Sequence, residues 1–306
     1  VLPRAFVLVA VAVAVSVALA PLARAAPPTK SASATSAAPP SPASPVLAAL
    51  AKKGPLRVGM HPGASPFAVA GADADDLRRR LAQPLPPEVR ATDGRLVAGF
   101  DVDLVAEAAR QLGVPLEITL VDRFEDLLPG LIAGRYDVVA SALTRTLDRA
   151  LTVAFTAPYF ATGLALLARD PKAAASLEVL RERRPRVAFA KGTTAERFVA
   201  RELATATARP LPSMEALFAE MDDPAGADAF VVDLVAARDA VVRKRVKAAL
   251  ASVEERRFTA EQLALAVRQG DPDWLGWLDL YLTTVRGNGQ FHRIAARYND
   301  WFRTER

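Results

Sequence analysis

Short apolar runs of strand length alternate with helix-patterned stretches from about residue 54 onward, and that alternation leaves few folds open. Leu56-Arg57-Val58-Gly59-Met60 reads as a strand. Gly99 to Leu112 then places Phe100, Leu104, Val105, Ala108 and Leu112 at helical spacing, closed by Gly113 and Pro115. Leu116 to Val121 alternates as a strand, and Asp126 to Ala133 forms a short helix with Pro129 in its first turn and Gly134 as its stop. Tyr136 to Leu143 reads as a buried strand. Repeated units of this kind imply an α/β fold, with a largely parallel sheet covered by helices on both faces. A second set begins after Phe160, with strands at Leu164–Ala168, Arg186–Ala190 and Ala229–Asp233, a helix from Ala195 and another after Asp233. Leu263 to Val267 then leads into two terminal helices, Asp273–Arg286 and Phe291–Phe302. A chain of 306 residues has room for two such domains.

The front of the chain is different. Arg4 precedes Ala5–Ala20, a run without charge, and Ala23-Arg24-Ala25 has the small-x-small pattern of a signal-peptidase site. The apolar run is shorter than the roughly 20 residues a spanning helix needs, so residues 1–25 are expected to be a cleaved signal peptide. Residues 26–46 are rich in Ala, Ser and Pro and read as a disordered linker. The chain has no cysteine, which excludes disulfides, thiolate metal sites, a cysteine nucleophile and a lipid anchor on cysteine. Two of the residues behind the net charge of +5, Arg4 and Arg24, lie in the leader. The basic clusters Arg181–Arg186 and Arg243–Lys247 lack interleaved aromatics and read as solvated helix faces, so no nucleic-acid partner is expected. No HExxH, GxSxG or Walker-A pattern occurs. His61 has no triad partner in view and His292 falls on a terminal helix, so no catalytic residue, metal or cofactor is expected.

Ligands of open α/β sheets sit outside the carboxyl ends of the strands. After Tyr136–Leu143, Thr146 is placed to cap a helix, and Arg149 in its first turn can grip a carboxylate through two parallel hydrogen bonds. After Arg186–Ala190, Thr193 and Glu196 have capping-box spacing, and this turn offers hydroxyls and backbone N–H groups to an anion. Asp233 ends a strand, where it can pair with an ammonium or cap the next helix. A carboxylate clamp and an ammonium acceptor on separate α/β units describe an α-amino acid held between two lobes.

These residues sit among segments that carry a resemblance: Leu-Arg-Val-Gly at 56–59, Pro66-Phe67, Gly99-Phe100-Asp101-Val102-Asp103-Leu104, Leu127-Leu128-Pro129 and Tyr136-Asp137-Val138-Val139. They continue with Thr144-x-Thr146-x-x-Arg149, Phe155-Thr156-x-Pro158-Tyr159, Lys191-Gly192-Thr193-Thr194, Val231-Val232-Asp233 and Ala266-Val267-Arg268-Gln269-Gly270-Asp271-Pro272. From about Gly54 to Phe302 the chain resembles the family 3 extracellular solute-binding proteins, the polar-amino-acid binders of ABC importers. The resemblance implies a two-lobed, periplasmic-binding-protein-like fold of type II. Each lobe would be a mostly parallel sheet flanked by helices, and a two-segment hinge would join them near Phe160–Leu164 and Glu254–Thr259. Lobe 1 would comprise 47–160 and 260–306, and lobe 2 would comprise 161–259. Arg149 and Thr144 match residues that bind the ligand carboxylate, Thr193 and Thr194 match second-lobe contacts to it, and Asp233 matches the acid that binds the amino group. Ser141 falls near the ligand, Phe124 falls where an aromatic packs on the ligand side chain, and Phe67 is carried over with its Pro66-Phe67 pair. A periplasmic or secreted monomer follows, with a small-molecule ligand and an ABC permease as partners.

Two departures stand out. An aromatic is common just before the Pro66-Phe67 pair, and here that slot is Ala64. The stretch 68–96 is longer than usual and holds Asp73-x-Asp75-Asp76-Leu77-Arg78-Arg79-Arg80, an inserted amphipathic turn or short helix expected to coat the surface or border the cleft mouth. Two other uses of the fold remain open at this point. One is a sensory binder for a membrane receptor, and the other is a dehydratase of aromatic-amino-acid biosynthesis. The resemblance expects of that enzyme a glutamate three residues after Asp233, where this chain has Ala236.

Overall fold

The computed structural model describes residues 44–169, 177–242, 251–252 and 259–302. The expected signal peptide, the linker up to residue 43, the cluster 243–247 and the hinge residues 254–258 lie outside the described residues. Helix α1 (Pro45–Ala51) is capped by Ser44, whose hydroxyl accepts from the Leu47 N–H at 3.1 Å and donates to Asp271 at 2.8 Å. The end of the stretch read as linker is therefore helical from Pro45.

The first lobe begins with β1 (Leu56–Met60), β2 (Gly63–Ala64), β3 (Ala68–Ala70), α2 (Ala72–Arg80), β4 (Val89–Arg90) and β5 (Leu96–Ala98). It continues with α3 (Phe100–Leu112), β6 (Leu116–Leu120), a 3-10 turn at Phe124–Asp126, α4 (Leu127–Ile132), β7 (Val138–Val139), α5 (Leu147–Ala150) and β8 (Val153–Phe155). Strand β9 (Phe160–Thr162) crosses to the second lobe. There follow β10 (Leu164–Ala168), α6 (Leu177–Arg183), β11 (Arg186–Ala190), α7 (Thr194–Glu202), β12 (Thr207–Leu211), α8 (Met214–Asp222), β13 (Ala229–Asp233), α9 (Leu234–Val242) and β14 (Ala251–Ser252). The chain returns through β15 (Glu261–Leu263) to β16 (Ala266–Arg268), α10 (Pro272–Gly287), α11 (Gln290–Ala296) and α12 (Asn299–Phe302).

Each lobe holds one five-stranded sheet, in the orders β6-β1-β7-β16-β8 and β12-β11-β13-β10-β14. Strand β1 runs parallel to β6 and β7, and β11 runs parallel to β12 and β13. The strands that enter from the hinge, β16 and β10, are antiparallel to their neighbours. Strand β10 makes plain why its sequence is apolar throughout. Leu164, Leu166 and Ala168 pack on one side with Val187, Phe189 and Phe198, while Ala165 and Leu167 pack on the other with Leu217, Met221 and Phe230. Helix α3 starts at Gly99, with φ at 140°, where a Cβ would stand 2.0 Å from the Phe67 carbonyl oxygen, so only glycine fits. That helix buries Phe100 against Phe67, Phe291 and Phe302 and ends on the left-handed Gly113.

Three expected elements differ. The strand read over Tyr136–Leu143 is paired only at Val138–Val139, because the following residues turn into the cleft. Ser141 is tied to the His61 backbone, and Ala142 takes a left-handed φ of 46°. The strand read over Leu263–Val267 is two strands with different partners, since β15 pairs with β9 at the hinge and β16 with β7 and β8 in the lobe. The last helix divides at Arg297–Tyr298, where Tyr298 donates to Asp103 at 3.0 Å and Trp301 donates to Asp239 at 2.6 Å.

Candidate functional site

The sheet orders fix what can meet in the cleft between the lobes. Along the open edge of lobe 1 come Phe124 after β6, His61 to Ser65 after β1, and Ser141, Ala142 and Thr144 after β7, with Glu261 at the hinge. Facing them in lobe 2 stand Pro212, Ser213 and Met214 after β12, Lys191 to Ala195 after β11, and Asp233 ending β13. All eight residues singled out in the sequence, Phe67, Phe124, Ser141, Thr144, Arg149, Thr193, Thr194 and Asp233, line this one cleft.

The lobes touch across it. Arg149 of lobe 1 donates from Nη2 to the Gly192 carbonyl of lobe 2 at 3.0 Å, and Arg197 of lobe 2 pairs with Asp148 of lobe 1 at 2.5 Å. Gly192, with φ at 74°, lies so close to Glu125 that a Cβ there would stand 3.0 Å from the Glu125 Cβ. This is a closed arrangement.

Arg149 is delivered by α5, whose N-cap Thr146 accepts from the Arg149 N–H at 3.3 Å. Its Nη1 donates to the Thr144 carbonyl at 2.6 Å, and its guanidinium lies over the Phe124 ring at 5.5 Å. No carboxylate among the described residues forms an ion pair with it. Burial, with Arg197 nearby, pushes its pKa down to about 10, against the opposing pull of Glu261. An enclosed cation with no carboxylate in contact, Glu261 acting on it only from a distance, can receive an anion. Lobe 2 supplies the N-terminus of α7 beside it. Here the expected capping box is altered. The Thr193 hydroxyl donates to the Ala190 carbonyl at 2.7 Å, and Glu196 accepts from the Gly192 N–H at 2.8 Å.

Asp233 caps the next helix, one of the two uses its position allowed, and its second oxygen is held by a threonine hydroxyl. Oδ1 caps α9, accepting from the Val235 N–H at 2.8 Å and the Ala236 N–H at 3.3 Å, while Oδ2 accepts from the Thr162 hydroxyl at 2.8 Å. Burial pushes its pKa up to about 6, and Glu261 adds to the rise. Glu261, Lys191, His61, Ser65 and Met214 also line the cleft and were not singled out as binding residues. Ser65 presents a buried hydroxyl without a protein partner among the described residues. His61 Nδ1 lies 2.9 Å from the Val121 carbonyl, which can only accept, so Nδ1 carries the proton and Nε2 faces Gly63 at the cleft. Below the floor, the fully buried Asp101 accepts from the Ala142 N–H at 2.6 Å and the Tyr159 hydroxyl at 2.9 Å. It thereby fixes the left-handed turn that carries Ala142 into the cleft, and burial pushes its own pKa up to about 7.

The family model for bacterial extracellular solute-binding proteins, family 3, matches residues 81–302. The chain belongs to that family. Among similar members, the L-arginine-binding protein of Pseudomonas aeruginosa is 27% identical over 224 residues, which is 70% of this chain and 83% of the relative. The histidine-binding periplasmic protein of Escherichia coli K12 is 26% identical over 223 residues, 71% of this chain and 84% of the relative. Among solved structures, the ancestral amino acid-binding protein AncCDT-1, a precursor of cyclohexadienyl dehydratase, superposes with a TM-score of 0.68 at 28% identity, covering 84% of this chain and 100% of that one. In this family 3 protein, then, the two-lobed fold expected from the sequence is present, and the chain is a solute-binding protein.

Proposed function

We propose that this solute-binding protein captures an α-amino acid by lobe closure outside the cytoplasmic membrane and hands it to the permease of an ABC importer. The single observation that carries the reading is Arg149, enclosed in the closed cleft with no acidic partner among the described residues, with the carboxylate of Asp233 elsewhere in the same cleft. A ligand carboxylate would take the free donors of Arg149 and the N–H groups at the start of α7, and a ligand ammonium would sit at Asp233. Both lobes then hold one small zwitterion, and the ligand favours closure because only the closed form offers both sets of contacts. The names of the relatives, which include arginine and histidine binders, support an amino acid as the class. Ala236 and the lack of any recognisable catalytic constellation support binding without chemistry. The leader read over residues 1–25 supports export, and the protein works as a monomer in this reading.

The test is a thermal-shift screen of the full chain, unfolded and refolded to strip bound solute, against the twenty protein amino acids. A ligand at about 100 times its dissociation constant adds about 2.7 kcal/mol, or several degrees. We expect a shift with one chemical group of amino acids, and no shift in Arg149→Ala or Asp233→Ala. A panel without any shift would reject the amino-acid reading, and wild-type shifts in the variants would remove those residues from the site.

A further inference from the structure

Glu261 is the first residue of β15, at the hinge, and is 7% exposed. Its partner across the crossing strands is Thr162, so the two side chains lie on one face of the two-stranded sheet. Thr162 in turn donates its hydroxyl to Asp233 at 2.8 Å. The two carboxylates therefore flank one threonine, one arriving from the hinge and the other from the end of β13. Glu261 has only hydroxyl partners among the described residues. Oε2 accepts from Thr144 at 2.8 Å, and Oε1 accepts from Thr259 at 3.4 Å. No lysine or arginine among the described residues pairs with it. A buried carboxylate held by hydroxyls, with Arg149 acting on it only from beyond ion-pair distance, has room for a cation in direct contact.

The bond to Thr144 has a second consequence. The hydroxyl hydrogen of Thr144 is directed to Glu261, so the hydroxyl oxygen offers its lone pairs toward the cleft. That oxygen suits an N–H donor of a ligand. A primary ammonium carries three N–H donors. Asp233, Glu261 and the Thr144 oxygen supply acceptors from three separate segments at the hinge side of the cleft.

We propose that Glu261 is a ligand-contacting residue which, with Asp233 and the Thr144 oxygen, forms a three-acceptor cradle selective for the free primary ammonium of the bound amino acid. This rests on the amino-acid reading above and adds to it a residue and a selectivity. Glu261 and Arg149 present opposite charges to the same cleft, which favours one orientation of the carboxylate and ammonium ends of the ligand. An amine blocked by acylation loses its charge and two donors, and would leave both acids unpaired.

The experiment compares wild type, Glu261→Gln and Glu261→Asp by titration calorimetry. The probes are each protein amino acid that shifts the wild type, beside its Nα-acetyl derivative. Glutamine keeps the shape and removes the charge. Expected is a loss of about tenfold to a hundredfold for the free amino acid in Glu261→Gln, the span of a charge-assisted hydrogen bond. The Nα-acetyl derivative should bind weakly, and equally weakly, to both proteins. Partial recovery of the preference for the free amine is expected in Glu261→Asp, with the ligand-free melting temperature of Glu261→Gln unchanged or raised. Binding of the free amino acid within twofold of wild type in Glu261→Gln would overturn the assignment. So would equal losses for free and acetylated forms, because that pattern reports a hinge role and not contact with the amine. If the wild type binds no amino acid at all, the parent reading fails first, and this outcome is separate from the other two.

Discussion

Asp233 carries a titration that should be visible in binding. Its pKa in the folded protein, about 6, stands above the ordinary carboxylate value because burial and the neighbouring Glu261 disfavour the charged form. Between the unfolded value near 4 and about 6, the folded state holds a proton that the unfolded state has lost. The stability this group contributes is thus present below pH 4 and declines as pH rises through 6. Ligand binding runs the other way, because an ammonium requires the ionised acid. Affinity for the amino acid should fall about tenfold on going from pH 7 to pH 5, measured by titration calorimetry at constant ionic strength. A flat profile would mean that Asp233 is ionised throughout or does not meet the amine. At this scale much of the site was legible in the sequence, because Arg149, Thr193, Thr194 and Asp233 each follow a strand or sit in the first turn of a helix. Glu261 was not, because it lies between a hinge segment and an apolar strand and belongs to neither pattern. Only the antiparallel pairing of β9 with β15 brings it beside Thr162.

Among the elements, the insertion coats lobe 1 away from the cleft and is anchored in the core by one face. Helix α2 packs on β3 and β5, which join β2 and β4 in a four-stranded antiparallel sheet of order β2-β3-β5-β4. It buries Ala74 and Leu77 completely. None of residues 68–96 lines the cleft. Leu77→Ala should cost about 2–5 kcal/mol and lower the melting temperature by several degrees while leaving ligand affinity within twofold. A large change in affinity would instead tie the insertion to the site. The charges of Asp73 to Arg80 masked this role, since two apolar positions buried between strands carry less pattern than the charged face around them. Strand β12 and helix α8 escaped the sequence for a related reason. Thr207–Leu211 is an exposed edge strand containing Pro210, and an edge position needs neither an apolar run nor every N–H. The long apolar strands β10, β11 and β13 were legible because both of their faces are buried.

For the whole molecule, the question is what holds the lobes together when they meet. The pair Asp148–Arg197 spans the cleft rim but is solvent-exposed on both sides, so it contributes at most about 1 kcal/mol. Arg197→Ala should therefore weaken ligand affinity by less than about fivefold, and the difference should vanish in high salt, where exposed charges are screened. A loss beyond tenfold, or one insensitive to salt, would show that the pair does more than decorate the rim. Away from the cleft, a second junction joins the lobes. The Asp239 carboxylate on α9 accepts from the Trp301 indole on α12, and Arg80 from the insertion lies over the Trp301 ring at 5.0 Å. The other two tryptophans, Trp274 and Trp277, stack on each other on α10 within lobe 1. Trp301 alone of the three bonds across the seam. An indole held between a carboxylate of one lobe and a guanidinium of the other is a built-in optical gauge of that seam: its emission should shift when ligand is added to the stripped wild type, and the shift should be lost in Trp301→Phe.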